Sequence, residues 1–198
     1  METIPLFPLG SVLLPHGRMP LQIFEPRYLD LVSRSLKQDS GFGVVWLREG
    51  REVFQPDRAP ADHRLAQIGT YATIVDWDSL PNGLLGITIE GAQKFRLISS
   101  CQRSDHLHMA EIEWIEQEPK VPLPAPAEDI KGLLLQLLQH PHVVRMKHSP
   151  QLDDAAALGC LLTQLLPIAE PIKFELLTVT DPLLRLQQVM ELLDQFSQ

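Results

Sequence analysis

The sequence predicts an α+β protein in which a β-rich part is followed by a helical part. Residues 1–118 contain short apolar runs and alternating segments, separated by proline and glycine, as is typical of strands. After residue 128, apolar residues recur at helical spacing. Between the two lies a cluster of prolines that neither a strand nor a helix interior tolerates: Pro119, Pro122, Pro124 and Pro126. We therefore predict a β-rich domain at 1–118, a connector at 119–127 and a helical domain at 128–198.

The first 28 residues are apolar and interrupted by prolines. Each proline fixes φ and removes a backbone donor, so this segment is predicted to form short extended pieces at 4–9, 11–14 and 21–24. Glu25 and Pro26 then mark the start of a helix at 25–37. This helix is expected to lie as an insertion among the strands.

The rest of the β-rich part is predicted to contain a buried strand, a surface excursion and a hairpin. The strand covers 41–47, and the polar excursion covers 48–64. Strands at 65–77 and 84–89 flank Pro81-Asn82-Gly83, for which we expect a type I′ turn with Asn82 and Gly83 both left-handed. Segments 92–101 and 108–115 complete the β-rich part.

Four helices are expected in the second part of the chain. They lie at 128–139, 153–166, 171–178 and from 183 onward. Asp153-Asp154 and Asp181-Pro182 are suited to helix starts. The last helix carries a wide apolar stripe.

Composition and charge exclude several classes of protein. The 198 residues are 44% hydrophobic and 21% charged, which is an ordinary globular composition. The net charge of -8 argues against nucleic acid, because phosphate binding relies on clustered Lys and Arg. Two distant cysteines, Cys101 and Cys160, indicate free thiols. The apolar opening is too short and too rich in proline for a leader or a membrane span, so we expect a cytoplasmic protein without membrane contact.

Catalytic and metal chemistry find little support in the sequence. No phosphate-binding G-x-x-x-x-G-K-[ST] loop occurs. The pairs His106/His108, beside Asp105, and His140/His142, with His148, are interpreted as solvated polar segments rather than metal ligands. Cys160 is interpreted as a small core residue, and Asp153-Asp154 as a helix start. We predict no cofactor and no metal.

Two aromatic residues are the candidates for contact with a partner. Phe54 stands alone in the polar excursion at 48–64, and Trp77 ends a strand beside a turn. Trp46 lies in an apolar strand and is expected in the core. Single exposed aromatics are common, so each residue alone is only a candidate.

Several motifs resemble those of one known family, the Lon protease N-terminal (substrate-binding) domain. The family pattern stands here as PLFPL at 5–9, LP at 14–15 and LQIFEPRY at 21–28. It continues as IGTYATI at 68–74, as PNG at 81–83 followed by a strand, and as KFR at 94–96. The end of the chain at 183–196 resembles the family's closing helix.

This resemblance implies a PUA-like mixed β pseudo-barrel with an inserted helix, followed by a C-terminal helical bundle. It also implies non-enzymatic recognition of unfolded segments or a protein partner, by apolar docking and β-edge pairing. In the IFEPRY motif we interpret Glu25 and Arg27 as structural. Glu25 would accept N–H groups at the helix start, and Arg27 would pair with a carboxylate. Ile23, Phe24 and Tyr28 are expected in the core.

Other classes of function remain open. PUA-like barrels elsewhere bind RNA, so a small-molecule or RNA-binding module is the alternative, although the acidic balance counts against it. A stand-alone peptidase is a third possibility, opposed by the lack of any recognisable nucleophile and base. The sequence identifies neither the partner nor the oligomeric state.

We predict that the purified protein has neither peptidase nor ATPase activity, because the phosphate loop and the family's Ser–Lys dyad have no counterpart in the sequence. Casein incubated with the protein, with and without ATP, should stay intact on a denaturing gel. ATP-dependent cleavage by a preparation free of contaminating protease would contradict this prediction.

Overall fold

The computed structural model describes residues 1–49, 64–124, 128–147 and 153–196. Within them the chain forms six strands and six helices, with all strands preceding residue 115 and five of the helices following residue 127. The strands are β1 Glu2–Leu9, β2 Arg18–Ile23, β3 Phe42–Glu49, β4 Arg64–Ser79, β5 Leu85–Gln102 and β6 His108–Trp114. The helices are α1 Pro26–Gln38, α2 Glu128–Leu138, α3 Pro141–Val144, α4 Ala155–Leu165, α5 Glu170–Thr178 and α6 Pro182–Phe196.

The strands form one sheet that closes on itself. Their order is β2-β5-β4-β3-β1-β6, and β6 also pairs with β5. Five strands therefore form a ring, whereas β2 lies outside it against the first half of β5. The β1–β3 pair is parallel and the other pairs are antiparallel. This is the mixed pseudo-barrel with an inserted helix that the sequence predicted.

Helix α1 packs an amphipathic face into the sheet. Tyr28, Leu31 and Val32 are buried, and they lie at the spacing that places side chains on one helix face. The Tyr28 ring stacks on Phe7 with 3.9 Å between ring centroids. These residues belong to an apolar cluster that also includes strand residues such as Ile87. Burying such side chains contributes roughly 1.5–3 kcal/mol each before entropy is counted.

The helical part packs directly on the barrel. Cys160 of α4 and Phe174 and Leu177 of α5 share an apolar cluster with Leu6 and Phe95 of the strands. A third cluster lies among the helices themselves. The two parts therefore share one apolar core. The domain boundaries at 118 and 128 stay a prediction.

A buried charge cluster joins three distant parts of the chain at this contact. Lys94 of β5 donates to Glu118 at 2.6 Å and to the carbonyls of Leu177 and Val179. Arg185 of α6, which has no exposed surface, donates through both terminal nitrogens to Glu118. Burial raises the pKa of Glu118, but the hydrogen bonds from Arg185 and Lys94 outweigh that effect and hold the pKa below its usual 4.5.

The structure corrects the predicted hairpin turn. Gly83 has a φ of 80°, as expected, but Asn82 is not among the residues with positive φ. The N–H of Gly83 donates to the carbonyl of Leu80, and the N–H of Leu80 donates to the carbonyl of Leu84. The loop is therefore three residues long, with Pro81 at the second turn position and Gly83 as the left-handed closing residue. Proline favours this arrangement, because its fixed negative φ is the one that the second position of a type I turn requires.

Two further expectations met different outcomes. The segment at His140 and His142, expected as a loop, contains the short helix α3, which begins at Pro141. The predicted start of α4 is confirmed, because the Asp154 side chain accepts a hydrogen bond from the N–H of Ala156.

Replacing Gly83 by valine should lower the free energy of unfolding by about 1–2 kcal/mol, since a branched side chain at positive φ is strained. Nothing lies within 4 Å of a Cβ built at Gly83, so the cost comes from the backbone alone. Thermal melts of Gly83→Val and of the control Gly132→Val test this. Gly132 also has open space around it but lies in a helix, so its variant should be no less stable than wild type. Equal melting of the Gly83 variant and wild type would contradict the prediction.

Replacing Glu118 by glutamine should cost about 3–5 kcal/mol of stability, because it leaves two buried cations without their carboxylate. The lowered pKa also predicts a pH dependence. The stabilisation is complete above pH 4.5, the usual value of the unfolded chain, and is lost as pH falls through the lower folded pKa.

Urea unfolding between pH 7 and pH 3 measures both effects. The control is Glu116→Gln, an exposed glutamate two residues earlier, which should behave as wild type. A Glu118→Gln variant with wild-type stability and wild-type acid sensitivity would show that the cluster contributes nothing.

Candidate functional site

The candidate Trp77 lies near the end of β4 and is 61% exposed. Trp77 pairs across the sheet with Ile87 of β5, which in turn pairs with Leu21 of β2. Directly paired residues of an antiparallel sheet share a face. Because Ile87 is buried and Leu21 is packed against the same cluster, Trp77 stands at the rim of the apolar core. The other candidate, Phe54, lies outside the described residues.

Helix α1 runs along the stretch of β4 that carries Trp77. The chain leaves strand β2 at Ile23, just before the helix begins. By the strand register, Ile23 lies at the same height in the sheet as Ser79 of β4. Helix α1 ends before Phe42 of β3, which pairs with Ala72 of β4. The helix therefore spans the part of β4 between these two levels. Leu29 and Leu36, seven residues apart, lie on one flank of the helix, and both are exposed.

Five exposed apolar side chains lie on α1, on the link between β2 and α1, and on the last part of β4. We name this group the α1–β4 apolar surface; it comprises Phe24, Leu29, Leu36, Val75 and Trp77. Exposed apolar patches on soluble proteins often mark binding surfaces.

The position of Phe24 corrects an expectation, since it was predicted in the core and is 50% exposed. Successive residues of an extended chain point to opposite sides, and its neighbour Ile23 takes the buried side. Tyr28 is buried, as expected.

The two charged residues of the IFEPRY motif pair with each other. Arg27 approaches Glu25 at 3.0 Å and donates to the carbonyl of His106 at 2.8 Å. The Glu25 side chain makes no capping hydrogen bond with α1, contrary to expectation. Both side chains are largely buried, and the Arg27 guanidinium also lies 4.5 Å from the centre of the Tyr28 ring. These contacts join the start of α1 to the loop between β5 and β6, so we retain the structural interpretation of the motif.

A concavity of about 270 Å³ lies beside Trp77 on β2, β5 and β4. Leu80 closes it, and Gly86 makes room for Leu80, because a Cβ at Gly86 would come within 2.9 Å of the Leu80 side chain. Pro20 and Gln22 line it from the side of β2. Its size and mixed lining suit a side chain of a bound segment.

A set of ion pairs lies next to this concavity. Arg18 of β2 contacts Glu90 of β5 at 2.5 Å and donates to the carbonyl of Met146 at 2.8 Å. Lys147 contacts Asp76 of β4 at 2.8 Å, and its hydrogen bond lowers the pKa of Asp76. The turn after α3 is thereby attached to two strands, β2 and β4, at the edge of the site.

A second cavity of about 180 Å³ lies between the sheet and α4, lined in part by Lys94, Glu118 and Cys160. The three protons of the Lys94 ammonium all have acceptors within the protein. Burial raises the pKa of the Cys160 thiol to about 11, so the thiol stays protonated near neutral pH. The Lys94 ammonium is thus fully engaged and the Cys160 thiol is protonated, and Cys160 is the core residue that the sequence predicted.

The histidine segments form no ligand set. Among the described residues, no group of three or more His, Cys, Asp or Glu side chains is placed to hold a metal ion. His106 lies in a turn with a φ of 64°, whereas His108 belongs to β6 and is buried, not solvated as expected. The side chain of His142 and all of His148 lie outside the described residues.

Sequence reasoning missed most of the apolar surface. The exposure of Leu29 and Leu36 has no signal in the sequence, because a helical period alone does not show how wide a stripe the sheet covers. The edge position of β2 does have one in Pro20, since proline within a strand is confined to edges and bulges.

Comparisons with known proteins bear on this architecture. Residues 3–195 match the family model of the ATP-dependent protease La (LON) substrate-binding domain. The chain is 24% identical over 198 residues to the Lon protease of Erwinia amylovora, covering 96% of this chain and 24% of that protein. It is 29% identical over 114 residues to the Lon protease of Buchnera aphidicola, covering 57% of this chain and 14% of that protein. The chain thus spans a quarter or less of the length of these relatives.

Solved structures agree with the family match. The crystal structure of a Lon N-terminal domain protein from Xanthomonas campestris superposes with a TM-score of 0.73 at 32% identity, covering 96% of this chain and 98% of that one. The N-terminal domain of the Mycobacterium avium complex Lon protease shares the fold, with a TM-score of 0.56 at 14% identity, covering 96% of this chain and 97% of that one. In the described part of this chain, no helix is both long and apolar enough to cross a membrane. The family match covers nearly the whole sequence, and the chain therefore belongs to the Lon substrate-binding domain family.

Proposed function

We propose that this protein recognises polypeptides without acting on them chemically, and that it binds extended apolar segments of unfolded chains or of a protein partner. The observation that carries the proposal is the exposed Trp77 of the α1–β4 apolar surface, on β4, which β5 separates from the edge strand β2. Family membership supports recognition of a substrate in general. That the bound substrate is an extended apolar segment, and that it binds at the α1–β4 apolar surface, is our proposal.

The proposed mechanism combines apolar docking with pairing at a sheet edge. An apolar side chain of the segment would pack against Trp77, which offers a large rigid area at small entropic cost. The backbone of another stretch of the bound chain would pair with the free edge of β2, on the far side of β2 from Trp77, as in other peptide-binding modules that add a strand. The concavity closed by Leu80 would take a neighbouring side chain. No covalent step is involved.

Replacing Trp77 by alanine should weaken binding about tenfold or more, because central aromatic residues carry most of the binding energy at such surfaces. Fluorescence anisotropy of labelled casein, an unfolded polypeptide, measures the affinity. The control is Ile98→Ala, which removes a similarly exposed apolar side chain from the distant half of β5 and should bind as wild type. Phe54→Ser in the same assay tests the candidate outside the described residues.

Two results would contradict the proposal in different ways. If Trp77→Ala binds casein as tightly as wild type, the α1–β4 apolar surface is not the site. If wild type binds neither casein nor other unfolded chains, polypeptide recognition itself is wrong. Binding of a labelled RNA under the same conditions would favour the alternative of an RNA-binding module.

A further inference from the structure

Strand β2 lies outside the ring and forms one edge of the sheet. It pairs with β5 through all six residues from Arg18 to Ile23. On its other side, no strand of the described residues pairs with it. An open edge presents unpaired backbone donors and acceptors, which pair readily with another chain, including a second copy of the same protein.

Pro20 interrupts the donors of this edge. In an antiparallel ladder, alternate residues direct their backbone groups toward the partner strand and away from it. Pro20 lies opposite Thr88 and has no N–H, so it fits the position whose N–H would point away from β5. Arg18 and Gln22, two residues to either side, then point their backbone groups outward as well. The edge thus offers three carbonyls but only two N–H groups.

The Arg18 end of the edge is already engaged. The Arg18 guanidinium donates to the carbonyls of Met146 at 2.8 Å and Lys147 at 2.5 Å, and it contacts Glu90. The turn after α3 is therefore attached where β2 begins. The half of the edge farther from this turn runs from Pro20 to Ile23.

We propose that Pro20 determines what pairs with β2: it admits one extended segment of another polypeptide and suppresses pairing between two copies of this protein. A bound segment without proline loses one hydrogen bond opposite Pro20. Two β2 strands paired about a two-fold axis bring two prolines into the same ladder and lose two. The identity of the admitted segment rests on the proposed function, whereas the block on self-pairing does not.

The same geometry defines the class of segment. Leu21 and Met19 face the apolar cluster and are only partly buried. A strand added to β2 places every second side chain on this face, on the side where Trp77 stands at the far end of the row. The favoured segment therefore alternates apolar residues with others, and it contains no proline at the position opposite Gln22.

The test restores or removes single donors on this edge. Pro20→Thr restores an N–H with a good strand former, and Gln22→Pro removes the remaining donor of the free half. The probe is a labelled peptide of about eight residues that alternates valine with lysine. Anisotropy gives its affinity, and light scattering after gel filtration gives the mass of the protein at matched concentration.

We expect Pro20→Thr to bind the peptide about 2- to 10-fold more tightly, the value of one net hydrogen bond, and to show a larger mass than wild type. Gln22→Pro should bind more weakly by a similar factor with unchanged mass. The control is Pro81→Thr, an exposed proline of the β4–β5 loop, which should leave both readouts unchanged. Thermal melts confirm that each variant is folded.

The outcomes separate this inference from the proposed function. If folded Pro20→Thr matches wild type in both affinity and mass, the inference is wrong, while the Trp77 result stands unaffected. If Trp77→Ala changes nothing but Pro20→Thr gains mass, the apolar surface is wrong and the block at Pro20 is right.

Discussion

The contact between the barrel and the helices depends on two buried cations and on the groups that balance their charge and accept their hydrogen bonds. Taking Lys94 and Arg185 out of water costs several kcal/mol per charge unless each finds a full set of acceptors. Glu118 supplies the opposite charge, and the carbonyls at the end of α5 supply the rest. Cations are favoured at that end because the helix dipole is negative there. Since the three charged residues come from β5, the chain after β6 and α6, their pairing requires all three to meet at one place.

The length of β5 has a second structural consequence. Its later half closes the ring with β6, while its first half extends past the ring and pairs with β2. Among the described strands the extension therefore has two edges without a strand partner, that of β2 and that of β4 after Ala72. The last part of β4, which carries Trp77, pairs with this extension of β5, and the β4–β5 loop lies at its end. The proposed recognition surface is thus a product of unequal strand length.

Rigid attachment distinguishes this surface from a loop-borne site. Trp77 is on a strand paired on its β5 side, and α1 is held by the stacked Phe7 and Tyr28 rings and by the Glu25–Arg27 pair. The turn after α3 is attached to the same strands through Arg18 and Lys147. A preorganised surface loses less conformational entropy when it binds than a mobile one does. Recognition of an unfolded segment, which must itself become ordered, gains most from this arrangement.

The sequence by itself determined the features that depend on neighbours along the chain. Proline positions, alternating apolar residues and helical periodicity predicted the β-rich first part, helix α1 and the start of α4, because backbone restriction and local capping act over a few residues. The motifs at 5–9 and 21–28 indicated the family, because each is a short run of neighbouring residues that the sequence shows directly. Only the tertiary structure decided what depends on distant residues. Phe24 is exposed because Ile23 takes the buried side. Glu118 is a buried ion-pair partner, rather than one more surface acid, because residues 24 and 67 positions away in the chain pack around it.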